Sequence, residues 1–234
     1  MDETRRYHEH FYERNEAFEQ GSWLEKPEAA VLEQLDNLQH KKQLRILDLC
    51  CGVGRNAIPL ALALKGSGSR IECVDSLESA IDKITENARK HGVEDTIHPV
   101  CKNVHAYHIE KGAYDFIISW SCLEHLKKLG DFNEMLPRIK KGTAAGGINC
   151  FLINAEVTEF DAEDNMERKA LIELNFRQDK LMEILVENYG KWGLLKMERE
   201  HYINHLDRYG RKVVFKSHPL IFCAQNVSKP HTPV

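Results

Sequence analysis

The sequence predicts an α/β protein whose doubly wound, mostly parallel sheet ends in an antiparallel C-terminal hairpin. Three observations predict it. From Leu44 onward, short apolar β-branched runs alternate with segments of helical spacing, the rhythm of strands covered on both faces. The first of these runs, Arg45-Ile46-Leu47-Asp48-Leu49, passes through Cys50-Cys51-Gly52-Val53-Gly54 into Arg55-Asn56 and a helix. The rhythm breaks late, where Asp207-Arg208-Tyr209-Gly210 marks a turn before a further apolar run, a hairpin signal.

The elements follow in order. An amphipathic start carries Tyr7, Phe11, Tyr12 and Phe18 up to a break at Gly21-Ser22. A helix begins near Pro27, a residue suited to a first turn, with Ala30, Val31, Leu35 and Leu38 at helical spacing. Strand one is 44–49. The next helix carries Ile58, Leu60, Leu62 and Leu64 and stops at Gly66-Ser67-Gly68. Strand two ends on Asp75, and a helix over 77–91 is closed by Gly92. Strand three covers 96–101, strand four 114–120, a helix 132–140 and strand five 147–154. After an acidic stretch at 156–175, a helix over 179–189 leads to runs at 194–200, 212–215 and 220–224.

Composition bounds the function. A chain of 234 residues with 42% hydrophobic and 29% charged content suits one full-sized soluble domain. A net charge of −4 argues against nucleic acid, which needs a basic face. Met1-Asp2-Glu3-Thr4-Arg5-Arg6 has no apolar run behind it, so neither a signal peptide nor a membrane span is expected and the cytoplasm is the default location. Seven cysteines include no C-x-x-C pair; Cys73, Cys101, Cys150 and Cys223 sit in apolar runs and read as buried free thiols.

The turn after strand one carries the chemistry. Gly52 and Gly54 permit positive φ and close approach of a ligand, which then meets the open N–H groups of the helix start. Asp75 follows about 20 residues on, the offset at which an acid meets ribose hydroxyls; the glycine turn upstream favours that reading over an ordinary cap of the next helix. The spacing fails as G-x-G-x-x-G, which argues against a nicotinamide cofactor, and no lysine follows to make a phosphate loop. Asp48 reads as a buried organiser of the turn, and Asn56 as serving the helix start.

The string at 46–54 resembles the first motif of class I S-adenosylmethionine-dependent methyltransferases, with Cys50 replacing its first glycine. That resemblance implies a seven-stranded Rossmann-like sheet and S-adenosylmethionine as cofactor, leaving as S-adenosylhomocysteine. It implies that Asp48, Cys50, Gly52 and Gly54 shape the cofactor turn, that Asp75 binds the ribose and Ser76 flanks the adenine, and that Asn103 and the N–H of Val104 meet the adenine edge. Strand four, whose Ser119 the resemblance places among the cofactor-binding residues, leads into Ser121-Cys122-Leu123-Glu124-His125, similar to the family's segment near the transferred methyl. Gly54-Arg55-Asn56, Trp192-Gly193-Leu194-Leu195-Lys196 and His205…Gly210-Arg211-Lys212-Val213 resemble the tellurite-resistance branch, although Leu206 stands where an arginine normally follows the histidine.

The resemblance covers most of the chain and implies one domain over 1–234: a helical cap over 1–40, a cofactor-binding half over 41–154, and a substrate-side insert with the hairpin over 155–234. It implies a small-molecule acceptor, either a soft oxyanion such as tellurite or selenite or a thiol; an O- or N-nucleophile metabolite, or a non-catalytic cofactor-binding module, is the alternative. His125 reads as a base or a helix cap, and Arg208, with His205 and Lys212, as a cation for an anionic acceptor. Cys122 reads as a buried or rim thiol rather than a nucleophile. Tyr7, Tyr12 and Trp23 read as a lid or as core, and 156–175 as a pocket cap or a solvated helix. His98, Cys101, His105 and His108 straddle a strand and the adenine loop, so no metal site is expected.

Overall fold

The computed structural model describes residues 3–15, 17–20 and 22–227; the break read at Gly21 and the first two residues of the charged terminus lie outside them. The amphipathic start folds as α1 (Glu3–Arg14), which buries Thr4, Tyr7 and Tyr12. The segment after Pro27 makes one turn of α-helix, α2 (Ala29–Leu32), before tightening to a 3-10 helix over Glu33–Leu38. Then β1 (Arg45–Leu49), α3 (Ala57–Ala63), β2 (Arg70–Asp75), α4 (Glu78–His91), β3 (Ile97–Cys101), β4 (Tyr114–Trp120), α5 (Leu129–Gly142) and β5 (Thr143–Ile153) alternate as predicted.

β1 pairs in parallel with both β2 and β4, β2 with β3, and β4 with β5. The order β3-β2-β1-β4-β5 opens a crevice between β1 and β4, where the strand order reverses. Successive side chains go to opposite layers. Ile46, Phe116 and Ile118 pack with Ile58 and Ile84 of α3 and α4. Leu47, Leu49 and Ile117 pack with Phe132 and Leu136 of α5 and with Leu181 and Leu185 of α6 (Gln178–Tyr189).

The C-terminal part departs from the reading in its pairing. After β6 (Thr158–Asp161) and β7 (Glu167–Arg168), α6 leads to β8 (Gly193–Arg199), β9 (Tyr202–Arg208), β10 (Arg211–Ser217) and β11 (Leu220–Gln225). The turn at 207–210 does make a hairpin, between β9 and β10, but these join β6 and β7 in a second antiparallel sheet of order β7-β6-β10-β9. The antiparallel closure of the main sheet comes instead from β11 against β5 and β8 against β11, making seven strands. The physical reason is burial: Leu220 through Ala224 are all buried, whereas β9 is half polar and half exposed, so the apolar run takes the interior position. The acidic stretch at 156–175 is not a helix; it supplies β6 and β7, with Glu159 and Asp161 buried against Arg208 and Arg168.

The cysteines also correct the reading. Cys73, Cys150 and Cys223 are buried, but Cys101, the last residue of an edge strand, is exposed. Cys122, read as a free thiol, is joined to Cys50 by a disulfide, because the loops after β1 and β4 meet at the crevice despite their separation in sequence. Among the described residues no helix is long and apolar enough to cross a membrane.

Candidate active site at the strand ends

The turn after β1 takes positive φ at Cys50 (56°), Gly52 (52°) and Gly54 (90°). Asp75, at the end of β2, accepts from the Gly52 N–H through Oδ2 and from the Leu77 N–H through Oδ1, both at 3.0 Å. It thus ties the turn to β2 and holds the Leu77 N–H just ahead of α4, and each oxygen retains a second lone pair for a ribose hydroxyl. Burial, and then the Asp75 charge, push Asp48 up to about 7, against an opposing contribution from Arg55. Burial likewise raises Asp75, although the Leu77 and Gly52 N–H groups oppose it. Two buried carboxylates short of positive charge fit a ligand carrying a sulfonium and an amino group.

The N-terminal segment sits directly on this turn. A Cβ at Gly52 would lie 2.9 Å from Tyr12 Oη. Arg55 pairs with Glu28 at 2.7 Å, donates to the Trp23 carbonyl at 2.8 Å and stacks over the Trp23 ring. Asn56 does not cap α3 with its side chain; its Oδ1 accepts from the Glu28 N–H at 3.0 Å. The pair Arg55-Asn56 therefore pins 23–28 to the turn after β1.

A cavity of about 1240 Å³ runs from the turn to the second sheet and is lined by Tyr7, Tyr12 and Trp23 among others. On its far side His125 sits on a 3-10 turn, Leu123–His125, with Nδ1 2.8 Å from Glu173 Oε2. Against a desolvation that raises it, the hydrogen bonds from His125 and Thr4 hold the Glu173 carboxyl below its ordinary range. The His8 ring lies edge-on to His125 at 5.6 Å; burial, then the charges of His125 and Arg208, push His8 down to about 3, so it stays neutral. Glu124 is fully buried, and its Oε1 accepts from Ser121 Oγ, the Asn154 N–H and Asn154 Nδ2.

Of the residues read from the sequence, Asp48, Cys50, Gly52, Asp75, Ser76, Asn103, His125 and Arg208 line this one cavity. Asn103 Oδ1 also accepts from the His105 N–H at 2.9 Å. Gly54, Val104 and Ser119 do not line it. Gly54 is a packing residue: a Cβ there would meet Ile84 and Ile58 at 2.8 and 2.9 Å. The Val104 side chain belongs to the apolar layer under α5. Ser119 is fully buried between Leu49 of β1 and Phe151 of β5, one residue short of the strand end.

The strand pleat sorts the cationic candidates. Tyr202, Asn204, Leu206 and Arg208 of β9 line the cavity, while His205 and Lys212 do not. Arg208 is already engaged, with Nη2 2.6 Å from Glu159 Oε1 and its guanidinium 3.8 Å from the Tyr7 ring centre. The sequence reading missed His8, Glu124 and Glu173. His8 left one signal, its place beside Tyr7, Phe11 and Tyr12 on one face of an amphipathic helix; Glu173 left none. Among the described residues no three His, Cys, Asp or Glu side chains converge to hold a metal ion.

Comparison with known proteins agrees with this geometry. Residues 46–147 match the family described as a methyltransferase domain. No curated relative matches the sequence. Among solved structures, TehB from Haemophilus influenzae is 22% identical with a TM-score of 0.61, over 83% of this chain and 61% of that one. The chain thus spans about three fifths of the length of TehB. A Burkholderia thailandensis 1,6-didemethyltoxoflavin-N1-methyltransferase, solved with its acceptor and S-adenosylhomocysteine, is 16% identical with a TM-score of 0.59, over 96% and 85% of the two chains. The geranyl diphosphate C-methyltransferase of Streptomyces coelicolor A3(2) is 13% identical with a TM-score of 0.58, over 85% and 79%. The strand order and the turn after β1 agree with these matches: residues 46–147 match a methyltransferase domain, and the chain shares the fold of these solved methyltransferases.

Proposed function

We propose that the chain methylates a small molecule that carries a removable proton on nitrogen or oxygen, with His125 as the base. The observation behind this is the 2.8 Å hydrogen bond between His125 Nδ1 and Glu173. A carboxylate on one ring nitrogen fixes the tautomer and stabilises the imidazolium that results when the ring takes a proton. S-adenosylmethionine supplies a methyl group on a positively charged sulfur. The chain's remaining task is alignment of acceptor and methyl, which contributes much of the rate. Asp75 serves the ribose, Asn103 and Ser76 the adenine, and Asp48, Cys50 and Gly52 the methionine end. Residues 1–40 act as a cap, 41–154 hold the cofactor and 155–234 shape the acceptor pocket.

A soft oxyanion or a thiolate, the acceptor that the tellurite-branch resemblance suggests, would need a cation and no base. Arg208 is the one member of the trio His205, Arg208 and Lys212 that faces the cavity, and Glu159 neutralises it. Eight lining carboxylates stand against five lining cations, which disfavours an anionic acceptor. The test is the rate of methyl transfer to matched amine, phenol, thiol and tellurite acceptors. With the amine or phenol, His125→Ala is expected to cost roughly 10²–10⁴-fold, and Glu173→Gln part of that. A small effect of His125→Ala on every acceptor, with a large effect of Arg208→Ala on tellurite, would overturn this reading in favour of the oxyanion.

A further inference from the structure

The acceptor end of the cavity contains three buried polar atoms with no partner among the described residues: the acceptors Glu124 Oε2 and His8 Nδ1, and the donor Arg208 Nε. The two acceptors come from separate elements, the 3-10 turn after β4 and α1, and both residues line the cavity. Buried polar groups are as a rule paired, so an orphan in a binding cavity marks a place where a ligand bonds. Glu124 cannot turn to relieve its free oxygen. Its other oxygen is held by the Asn154 N–H at 3.0 Å and Asn154 Nδ2 at 2.8 Å, and Asn154 Oδ1 in turn accepts from Ser217 Oγ of β10 at 3.0 Å. A carboxylate oxygen only accepts, so the group that completes it must donate. The surrounding charge selects among donors: carboxylates outnumber cations in the lining, and Glu159 pairs with the Arg208 guanidinium through Nη2, leaving only its Nε without a partner among the described residues.

We propose that Glu124 recognises the acceptor by binding a protonated amine, and that the acceptor is a small ammonium-bearing molecule methylated on that nitrogen. This rests on the reading of His125 as base. The ammonium donates one hydrogen to Glu124 Oε2, and His125 takes another as a proton. The nitrogen lone pair so released forms the bond to the methyl carbon, while the methyl–sulfur bond breaks with its electrons remaining on sulfur. The product departs as a methylated ammonium, and His125 returns its proton to solvent. His8 Nδ1 offers a second acceptor to the remaining hydrogen.

The experiment is calorimetric titration of the S-adenosylhomocysteine-saturated protein with benzylamine, benzyl alcohol and benzoate, three probes of one shape. Wild type is expected to bind benzylamine at least about tenfold more tightly than the other two. Glu124→Gln keeps an oxygen for Asn154 and replaces the free oxygen with a donor; it is expected to abolish the preference, with S-adenosylhomocysteine binding reporting that the variant is folded. If that binding is lost, Glu124→Asp, which withdraws the carboxylate by one methylene, is read in its place. Absence of a preference in wild type overturns the proposal, as does a preference that survives in the folded variant. In turnover of benzylamine, the Glu124 variant should raise KM, whereas His125→Ala should lower kcat. A silent Glu124 variant beside a slow His125→Ala with a phenol acceptor ends the amine assignment and leaves the base reading standing; a silent His125→Ala ends the base reading itself.

Discussion

Replacing Asp48 by asparagine is expected to remove one component of the pH dependence of stability. Asp48 is 2% exposed, and burial followed by the Asp75 charge lifts its pKa from 3.8 to about 7. The folded chain therefore keeps a proton there over a range in which the unfolded chain has lost it. With the folded value above the unfolded one, the stabilisation is fully present below about pH 4 and is lost as pH rises through about 7. The difference between those limits is ~4 kcal/mol, lost at up to ~1.4 kcal/mol per pH unit. His8 works the other way: burial lowers it from 6.5 to about 3, so its share is present above about pH 6.5 and is lost as pH falls. The two slopes oppose each other in the wild type, so only a comparison of variants separates them. Urea unfolding of both ligand-free proteins from about pH 5 to pH 8 should show the stability of Asp48→Asn rising relative to wild type by ~2–3 kcal/mol. A difference that stays level across that range would refute the assignment of unbalanced negative charge to the cofactor end of the cavity.

Two further outcomes are expected. Asp75→Ala removes acceptors for two ribose hydroxyls, and each hydrogen bond to a charged group is worth about 1.5–3 kcal/mol; calorimetry should show S-adenosylhomocysteine affinity falling at least about tenfold, and an unchanged affinity in a folded variant would leave Asp75 as a tie between backbone segments alone. Thiol titration of the denatured protein should find five reactive cysteines before reduction and seven after it; seven before reduction would mean that Cys50 and Cys122 are not joined.

Much of the cofactor half was legible because its signals are local. Strands buried on both faces leave unbroken apolar runs, such as Phe116-Ile117-Ile118, and the turn at Gly52 lies within a few residues of the strand it ends. The packing role of Gly54 was not legible because glycine serves close packing and ligand approach alike; the sequence does not show that Ile58 and Ile84 crowd it. The hairpin at 207–210 was legible as a turn but not as part of a second sheet, since a turn does not reveal which strand its arms will pair with. The acceptor end was least legible. Its polar atoms come from α1, the β4 loop and the segment before α6, and no spacing connects His8, Glu124 and Glu173 until the chain has folded. The partner of Cys50 was hidden for the same reason.

The second sheet is rooted in the first at neighbouring points. Residues 156–176 leave and return at a bridge between Ala155 and Phe176, where the Glu156 N–H meets the Phe176 carbonyl at 2.8 Å. The hairpin of β9 and β10 leaves and returns where the Glu200 N–H meets the Pro219 carbonyl at 3.0 Å, and the His218 N–H fastens it to the Ala155 carbonyl at 2.8 Å. Neither excursion interrupts the ladder of β5, β11 and β8, and lengthening a closed loop costs little. The two excursions together form a graft unit: exchanging both for those of another protein on this frame should transplant acceptor preference while leaving the donor half and its strand register untouched.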